Sequence, residues 1–563
     1  VITLYILGAA STALTLLGFF VPARVSRWLA TGSVAAAIAS LLFTWGQRQT
    51  AFGGLYVVDP ISQSFTLVAL LGVLWALLIG RSEKWEFSLL LLYAAAGMHF
   101  MASSPNLPVL LIALEVFSLP LYVLATWQRD ERGFEAGLKY FLLGALSAAI
   151  FLYGIALHFG ATGSFNAGAQ GSGPLYVAAL LLILGALAFK VSLVPFHWWT
   201  PDVYQGSPTT VSLMMATAVK AAGFAALVRV LNVQDQGLWG LGLGALIALT
   251  VIFGNLGALA QQESKRLLAY SSIAHAGYVG LGLYSGTATA AIGFYLLAYL
   301  LSTGLAFAVL AAISQGDVPY ERLRGLLYRK PLLGVAMSVG LFSLAGLPPF
   351  AGFWGKLLVF LEAAKAQQWG LLVLALITSA VAAYYYLRLF NLVVARGPEA
   401  RAEEEAALPA PLVGAPVLAG QGTGGLSLAT GRLAAWPLMV ATALVVLLGI
   451  LPGLGYRLFS PTPFAALSRP TTASTTLPAS FTITSPSDGA ELRAGEFSLQ
   501  GTGRAGETLE VWDNASRIAE VRVGENGGWS LMLPSPPSVG EHIYQVRRPG
   551  EGEGPSVRVR VVE

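Results

Sequence analysis

Apolar runs long enough to cross a lipid bilayer follow one another along most of the chain. A helix needs about 20 mostly apolar residues to span the hydrocarbon core. Fourteen such runs are read at 1–20, 28–45, 62–80, 87–103, 107–127, 136–159, 175–196, 209–231, 238–260, 267–285, 289–314, 332–359, 369–395 and 434–453. The first has no basic stretch before it and thirteen more follow, so it is read as a helix rather than a signal peptide. Charged residues are 11% of the 563 and hydrophobic ones 55%. That is too little charge to clothe a water-soluble body of this size. An ordinary cytosolic enzyme is excluded, and the solvent is lipid. A net charge of +4 gives no basis for nucleic-acid binding. With no cysteine, the chain itself carries no disulfide, cysteine-ligated iron–sulfur cluster or thiol nucleophile.

Basic residues in the loops set the expected orientation, because cytoplasmic loops collect Lys and Arg. Loops after odd-numbered runs hold fifteen, from Arg24 and Arg27 through Lys265 and Arg266 to Arg432; those after even-numbered runs hold two, Arg48 and Lys365. The odd loops are therefore expected in the cytoplasm and both termini on the outer side. Residues 397–433, rich in Pro, Gly and Ala with Glu403, Glu404 and Glu405, read as a flexible cytoplasmic loop.

Residues 1–455 thus form one transmembrane domain, and 456–479 a linker to something different. From about 480 to 563 the pattern alternates with period two, in FTITS, LEVWD, AEVRV, WSLML, IYQVR and VRVRVV. Turn signals such as SPSDG and GENGG separate these runs, so six or seven short strands and a small β-sandwich are expected. The stretch 501–534 is similar to bacterial immunoglobulin-like modules, with Trp512 and Trp529 as core residues. Its place is the outer side, and nothing in the sequence identifies its partner.

A charge at the centre of a membrane helix costs about 3 kcal/mol on insertion scales, so each one is a functional candidate. Glu115, Lys190, Lys220 and Lys356 all lie too deep in their runs to snorkel. Lys139, near the start of its run, is placed either to snorkel or to serve the same chemistry. His197 and His275 fall in or beside runs; His99 and His158 lie near run ends and read as interfacial histidines. One acid and three deeply buried amines suggest a proton route. Desolvation weakens an ammonium's hold on its proton and a nearby carboxylate restores it, so moving a charged partner loads or unloads the amine. Glu115 is the natural partner of Lys190. The scattered histidines do not spell a metal site.

Two runs carry helix breakers beside a lysine: Lys190 before Pro195, and Pro348, Pro349, Gly352 and Gly355 before Lys356. Irregular backbone at membrane depth is tolerated only against protein or water. VPFHWW and PPFAGFW align at an offset of 154, which pairs runs 4–8 (about 87–231) with 9–13 (about 238–395). Five is odd, so the two units have opposite topology, as in inverted-repeat transporters. The expected fold is an all-α polytopic membrane protein of 14 transmembrane helices, with inverted five-helix repeats, two broken helices and a small C-terminal β-sandwich. His275 is a candidate relay in the second unit or a satisfied buried imidazole.

The segments EVFSLPLYVLATW, GLKYFLLGALSAAIFLYG, FKVSLVPFHWWTPDVYQGSPT, ESKRLLAYSSIAHAGY and GLPPFAGFWGKL resemble the antiporter-like membrane subunits of respiratory complex I, in the order that family has them. HWWTPDVYQGSP favours the chain N branch. The resemblance implies a proton-translocating subunit of NADH–quinone oxidoreductase in a bacterial inner (plasma) membrane, assembled with other membrane subunits of complex I. It implies no cofactor in this chain, with NADH, FMN, iron–sulfur clusters and quinone all in partner subunits. It carries proton-route roles onto Glu115, Lys190, Lys220, His275 and Lys356, and none onto the β module. The rival readings are a subunit of a multi-subunit Na⁺/H⁺ antiporter and one of a hydrogenase-linked or photosynthetic relative of complex I.

Overall fold

The computed structural model describes residues 1–80, 84–231, 236–286, 289–314, 316–395, 432–459, 482–486, 489–493, 498–503, 506–514, 516–533, 537–547 and 555–562. The chain divides into two compact units, Val1–Leu467 and Ser468–Glu563. The predicted loop 397–433 falls almost wholly outside the described residues, as does most of the predicted linker.

The first unit is helical. In chain order it has α1 (Ile2–Leu17), α2 (Ala23–Phe43), a small antiparallel hairpin β1–β2 (Gln49–Ala51, Tyr56–Val58), α3 (Pro60–Ile79), α4 (Trp85–Ser103), α5 (Leu107–Ala125), α6 (Glu131–Thr162), α7 (Gly173–Val191) and α8 (Trp199–Gly206). There follow α9 (Thr209–Ala216), α10 (Ala218–Leu231), α11 (Gln236–Leu259), α12 (Ser264–Tyr284), α13 (Thr289–Ile313), α14 (Leu326–Arg329), α15 (Pro331–Ala345), α16 (Ala351–Lys365), α17 (Trp369–Val394), α18 (Arg432–Ile450) and α19 (Pro452–Phe459). Polar side chains mark the helix starts. Asp59, Asn106, Asp130 and Glu263 each accept a hydrogen bond from the backbone N–H three residues on, filling a donor that a helix start leaves open.

Among the described residues eleven helices are long and apolar enough to cross a membrane, or twelve if the bent pair Ala435–Ile450 and Pro452–Phe459 is one span. The sequence reading gives fourteen. The difference lies in α12, whose serines and charged first turn dilute its apolar character, and in α15–α16, which a break divides into two helices of 15 residues each. The α9–α10 span is wholly buried and α13 nearly so, and they form the centre of the unit. Large apolar side chains on α1, α2, α6 and α17, such as Leu16, Phe43, Leu152 and Tyr384, face outward, as a lipid-facing surface requires.

Three expectations change. Lys265 and Arg266 lie in the first turn of α12 rather than in a loop, and Lys265 is fully buried. His99 and His158, near helix ends as read, are buried in protein: His99 lies 2.8 Å from the Tyr56 hydroxyl and 3.0 Å from Thr66 Oγ1. The run 209–231 stays one span, but its helix is distorted at Thr217 (φ −115°, ψ −71°) between α9 and α10, three residues before Lys220.

The second unit is two packed sheets. β3 (Thr482–Ser485), β5 (Ser498–Thr502) and β8 (Gly528–Met532) form a three-stranded sheet in the order β3-β5-β8. β4 (Ala490–Arg493), β6 (Thr508–Asp513), β7 (Ser516–Arg522), β9 (Gly540–Arg547) and β10 (Ser556–Val562) form a five-stranded one in the order β4-β10-β9-β6-β7. Leu499 and Trp529 of the small sheet share one core with Leu509, Val511, Tyr544, Val546 and Val559 of the large one, the layered packing of a sandwich. Sequence periodicity misses β4 and β5, because AELR and SLQGT are short and mostly polar. Trp529 is in the core as expected. Trp512 is only partly buried, with the Arg547 guanidinium 4.8 Å from its ring centre.

A part-buried ion pair ties α10 to the start of α3. Arg229 donates to both carboxylate oxygens of Asp59 (3.0 and 2.7 Å) and from Nε to Ala102 O (2.7 Å), while Asp59 also caps α3. Removing one member strands the other away from water. Asp59→Ala is therefore expected to destabilise the helical unit by about 3 kcal/mol, read as a lower thermal unfolding midpoint in detergent; an unchanged midpoint contradicts the assignment.

Candidate functional site

The candidate residues gather in two groups. The first surrounds Lys190, in the last turn of α7 and buried. Its ammonium donates to Ser118 Oγ (2.6 Å) and the Tyr140 hydroxyl (3.3 Å), and lies 4.8 Å from the Phe117 ring centre. It is not ion-paired with Glu115. That carboxylate sits one turn before Ser118 on α5, half-buried, and its Oε1 has no hydrogen-bond partner. The expected pair is thus separated, with the Ser118 hydroxyl on the amine in place of the acid. Glu115 stays within electrostatic reach of Lys190.

The second group is strung along one face of α12. Lys220, buried in α10, donates to the carbonyl of Ser272 (2.5 Å). One turn on is His275, with Nδ1 2.8 Å from the Tyr295 hydroxyl and Nε2 3.1 Å from that of Tyr386. Another turn on is Tyr278, whose ring centre lies 5.2 Å from the Lys356 ammonium. Residues three apart on a helix rise by about 4.5 Å, so α12 works as a ruler from Lys220 to Lys356. Both ammoniums act electrostatically on the imidazole between them. Lys356 also donates to Ser379 Oγ (2.9 Å) and Ala345 O (3.1 Å). Ala345 ends α15, where unpaired carbonyls favour a cation.

The two groups meet where α10 crosses α7. A Cβ on Gly223 would lie 2.5 Å from Val191 Cγ1 and 3.9 Å from Lys190 Cβ. Only a residue without a side chain lets the Lys220 helix approach Lys190 so closely.

The breaks after α7 and α15 share one pattern. Ser192 (φ +66°) and Gly346 (φ +82°) both turn left-handed. The next residue is a leucine in each, and its N–H returns to the helix: Leu193 to Ala188 O (2.9 Å), Leu347 to Phe342 O (3.1 Å). Every one of these positions is related by the offset of 154 read from the sequence. The lysines are not, since Lys190 precedes its break and Lys356 follows its own. Between His275 and the second break is a cavity of about 10 Å³ measured as room for a water's centre, lined by Tyr295, Tyr299, Ser302, Ser343 and Gly352. That suffices for about one water.

Two expected residues join neither group. Lys139 is partly exposed and paired with Glu135 (2.5 Å) and Asp202 (2.8 Å). His197 is half-buried at the first break, its Nδ1 unpartnered. Sequence reasoning missed the hydroxyls that hold the row: Ser118, Tyr140, Tyr295, Tyr386 and Ser379. Their signal was faint, because Ser and Tyr are ordinary in membrane helices and only spacing against Lys or His marks them out. Among the described residues no group of three or more His, Asp or Glu is gathered as for a metal ion.

Comparison with known proteins places this arrangement. Residues 104–382 match the family model described as NADH:quinone oxidoreductase/Mrp antiporter, TM. NADH-quinone oxidoreductase subunit 14 of Thermus thermophilus is 60% identical over 397 residues, 70% of this chain and 91% of that protein. Subunit N of Deinococcus radiodurans is 44% identical over 66% of this chain and 82% of its own length. The chain belongs to the NADH-quinone oxidoreductase subunit N family. A chain of the T. thermophilus respiratory complex I structure with bound aureothin superposes with a TM-score of 0.72 at 54% identity. The match covers 82% of this chain and 99% of that one. Glu115, Lys190, Lys220, His275 and Lys356 all fall within the span that matches the family model.

At the second break the helices touch closely enough to test. A Cβ on Gly352 would sit 1.9 Å from Ser343 O, whereas one on Gly370 would meet nothing within 4 Å. Gly352→Ala is expected to destabilise the protein by about 2 kcal/mol through overpacking and Gly370→Ala by less than about 0.5 kcal/mol, compared as thermal midpoints in detergent. Equal midpoints would refute the close approach.

Proposed function

We propose that this chain is the chain N-type proton-translocating membrane subunit of a bacterial NADH–quinone oxidoreductase. The observation that carries the proposal is the row Lys220–Ser272–His275–Tyr278–Lys356, buried and held by neutral oxygens and aromatic rings. An ammonium held by a carbonyl or hydroxyl keeps its geometry when it gives up its proton, whereas a carboxylate would hold the charge in place. The redox cofactors and quinone belong to partner subunits, and other membrane subunits of the complex are its neighbours. A proton reaches Lys220 from the cytoplasm, passes along α12 through His275 to Lys356 and leaves on the outer side. Lys190 and Glu115 are the switch. When Glu115 closes on Lys190 it supplies the counter-charge; when a neighbouring subunit draws it away, the Lys190 ammonium loses that support and the electrostatic push weakens the hold of Lys220 on its own proton. The separation of Glu115 from Lys190, with the Ser118 hydroxyl on the amine, supports reading the pair as one that can open.

The same proposal includes fourteen spans in inverted five-helix units, with both termini outside. Its supports are the repeated break pattern at offset 154, the 21-residue length of α12 and the basic loops after odd-numbered runs. The β module, immunoglobulin-like in this reading, serves as a spacer or docking element on the outer side. A sodium-antiporter role is disfavoured by the close relatives, which are named as NADH-quinone oxidoreductase subunits.

In complex reconstituted into vesicles, Lys220→Met and Glu115→Gln are expected to reduce NADH-driven proton pumping by at least about tenfold while the complex still assembles. Pumping at the wild-type rate would refute their roles. Sodium-dependent transport without NADH would favour the antiporter reading instead.

A further inference from the structure

Six buried hydroxyls around the start of α12 have no hydrogen-bond partner: Tyr204 of α8, Ser207 just after it, Ser264 and Ser272 of α12, and Tyr299 and Thr303 of α13. A buried polar group without a partner is costly, and native interiors rarely leave several side by side unless ordered water joins them. These are not scattered. Tyr204 and Tyr299 both interact with the Ser272 side chain, and Tyr299 with Thr303, although none of these hydroxyls makes a direct hydrogen bond. Ser272 is the junction, because its carbonyl holds the Lys220 ammonium.

The other end of the line reaches charged groups. Tyr204 lies in the last turn of α8, beside Gln205 and Ser207, whose carbonyls accept from the buried Lys265 ammonium at 2.8 and 2.7 Å. Glu263, Asp317 and Asp130 all act electrostatically on that ammonium. Asp202, two residues before Tyr204 on α8, is partly exposed and pairs with Arg266 at 2.7 Å. Surface carboxylates, a buried amine and hydroxyls with unused capacity thus share the region where α8 packs on α12, the helix whose Ser272 carbonyl holds Lys220.

We propose that this line is the proton intake of Lys220, with Tyr204 and Ser272 as its relay residues. The inference rests on the reading of Lys220 as a protonation site. Each hydroxyl accepts a proton at a lone pair and releases its own on the far side, so neither side chain changes composition and only the proton advances. Tyr299, whose ring centre is 4.9 Å from that of His275, continues the line past Ser272.

The test uses the whole complex in vesicles, with NADH-driven pumping measured in H₂O and D₂O. Tyr204→Phe keeps the ring, and Ser272→Ala keeps the carbonyl that binds Lys220. The assembled double variant is expected to pump severalfold more slowly, with a larger H₂O/D₂O rate ratio, and Ser272→Thr, which keeps a hydroxyl, to pump near the wild-type rate. Wild-type pumping and rate ratio in the double variant, with Lys220→Met impaired, overturn the intake and leave the role of Lys220 standing. Normal pumping in Lys220→Met overturns both. A slower Ser272→Ala with an unchanged rate ratio, not matched by recovery in Ser272→Thr, marks a structural role and also overturns the relay.

Discussion

Desolvation of the amine is the constraint on which the rest of the helical unit depends. Three lysines are buried in the helical unit with no carboxylate in contact among the described residues, and each ammonium is held by neutral oxygens: Ser118 and Tyr140, the Ser272 carbonyl, or Ala345 O and Ser379. Such contacts orient an ammonium without fixing its charge. The surrounding helices then have to supply aromatic faces and carbonyl ends at set places, and the breaks expose those carbonyls. A continuous helix at Ala345 would have paired its carbonyl four residues on and left Lys356 without that acceptor.

The helix with the least typical membrane composition does the most positioning. α12 is serine-rich, starts with a buried lysine and is stiffened by the side chains around it. Asn255 donates to the Tyr278 hydroxyl at 2.9 Å, the Tyr385 hydroxyl donates to Asn255 Oδ1 at 3.1 Å, and Tyr386 is bonded to Ser271. Polar residues that weaken its signal as a membrane span are the ones that fix His275 between two amines. Low apolar content here follows from burial against protein on all sides rather than from exposure to water.

That trade-off explains what was legible. Glu115, Lys190, Lys220 and Lys356 stood out because charge in an apolar run is rare, and the offset of 154 stood out because Pro and Gly are strong local signals. The distortion at Thr217 was invisible, since neither Pro nor Gly marks it. Lys139 and Lys265 look alike in sequence, each near the start of a helix. Lys139 meets surface acids whereas Lys265 turns inward to the carbonyls that close α8. That choice depends on where α8 packs, which no local pattern records. The β strands AELR and SLQGT were lost for a related reason: their pairing partners, not their own alternation, make them strands.

Lys190 precedes its left-handed turn and Lys356 follows the other one. In the fourteen-span reading these two crossings are five apart and run antiparallel. Before the turn in one and after it in the other is then the same leaflet. In that reading both amines stand on the same side of their breaks, and a path that follows α12 from Ser272 to Tyr278 also climbs about 9 Å along the helix.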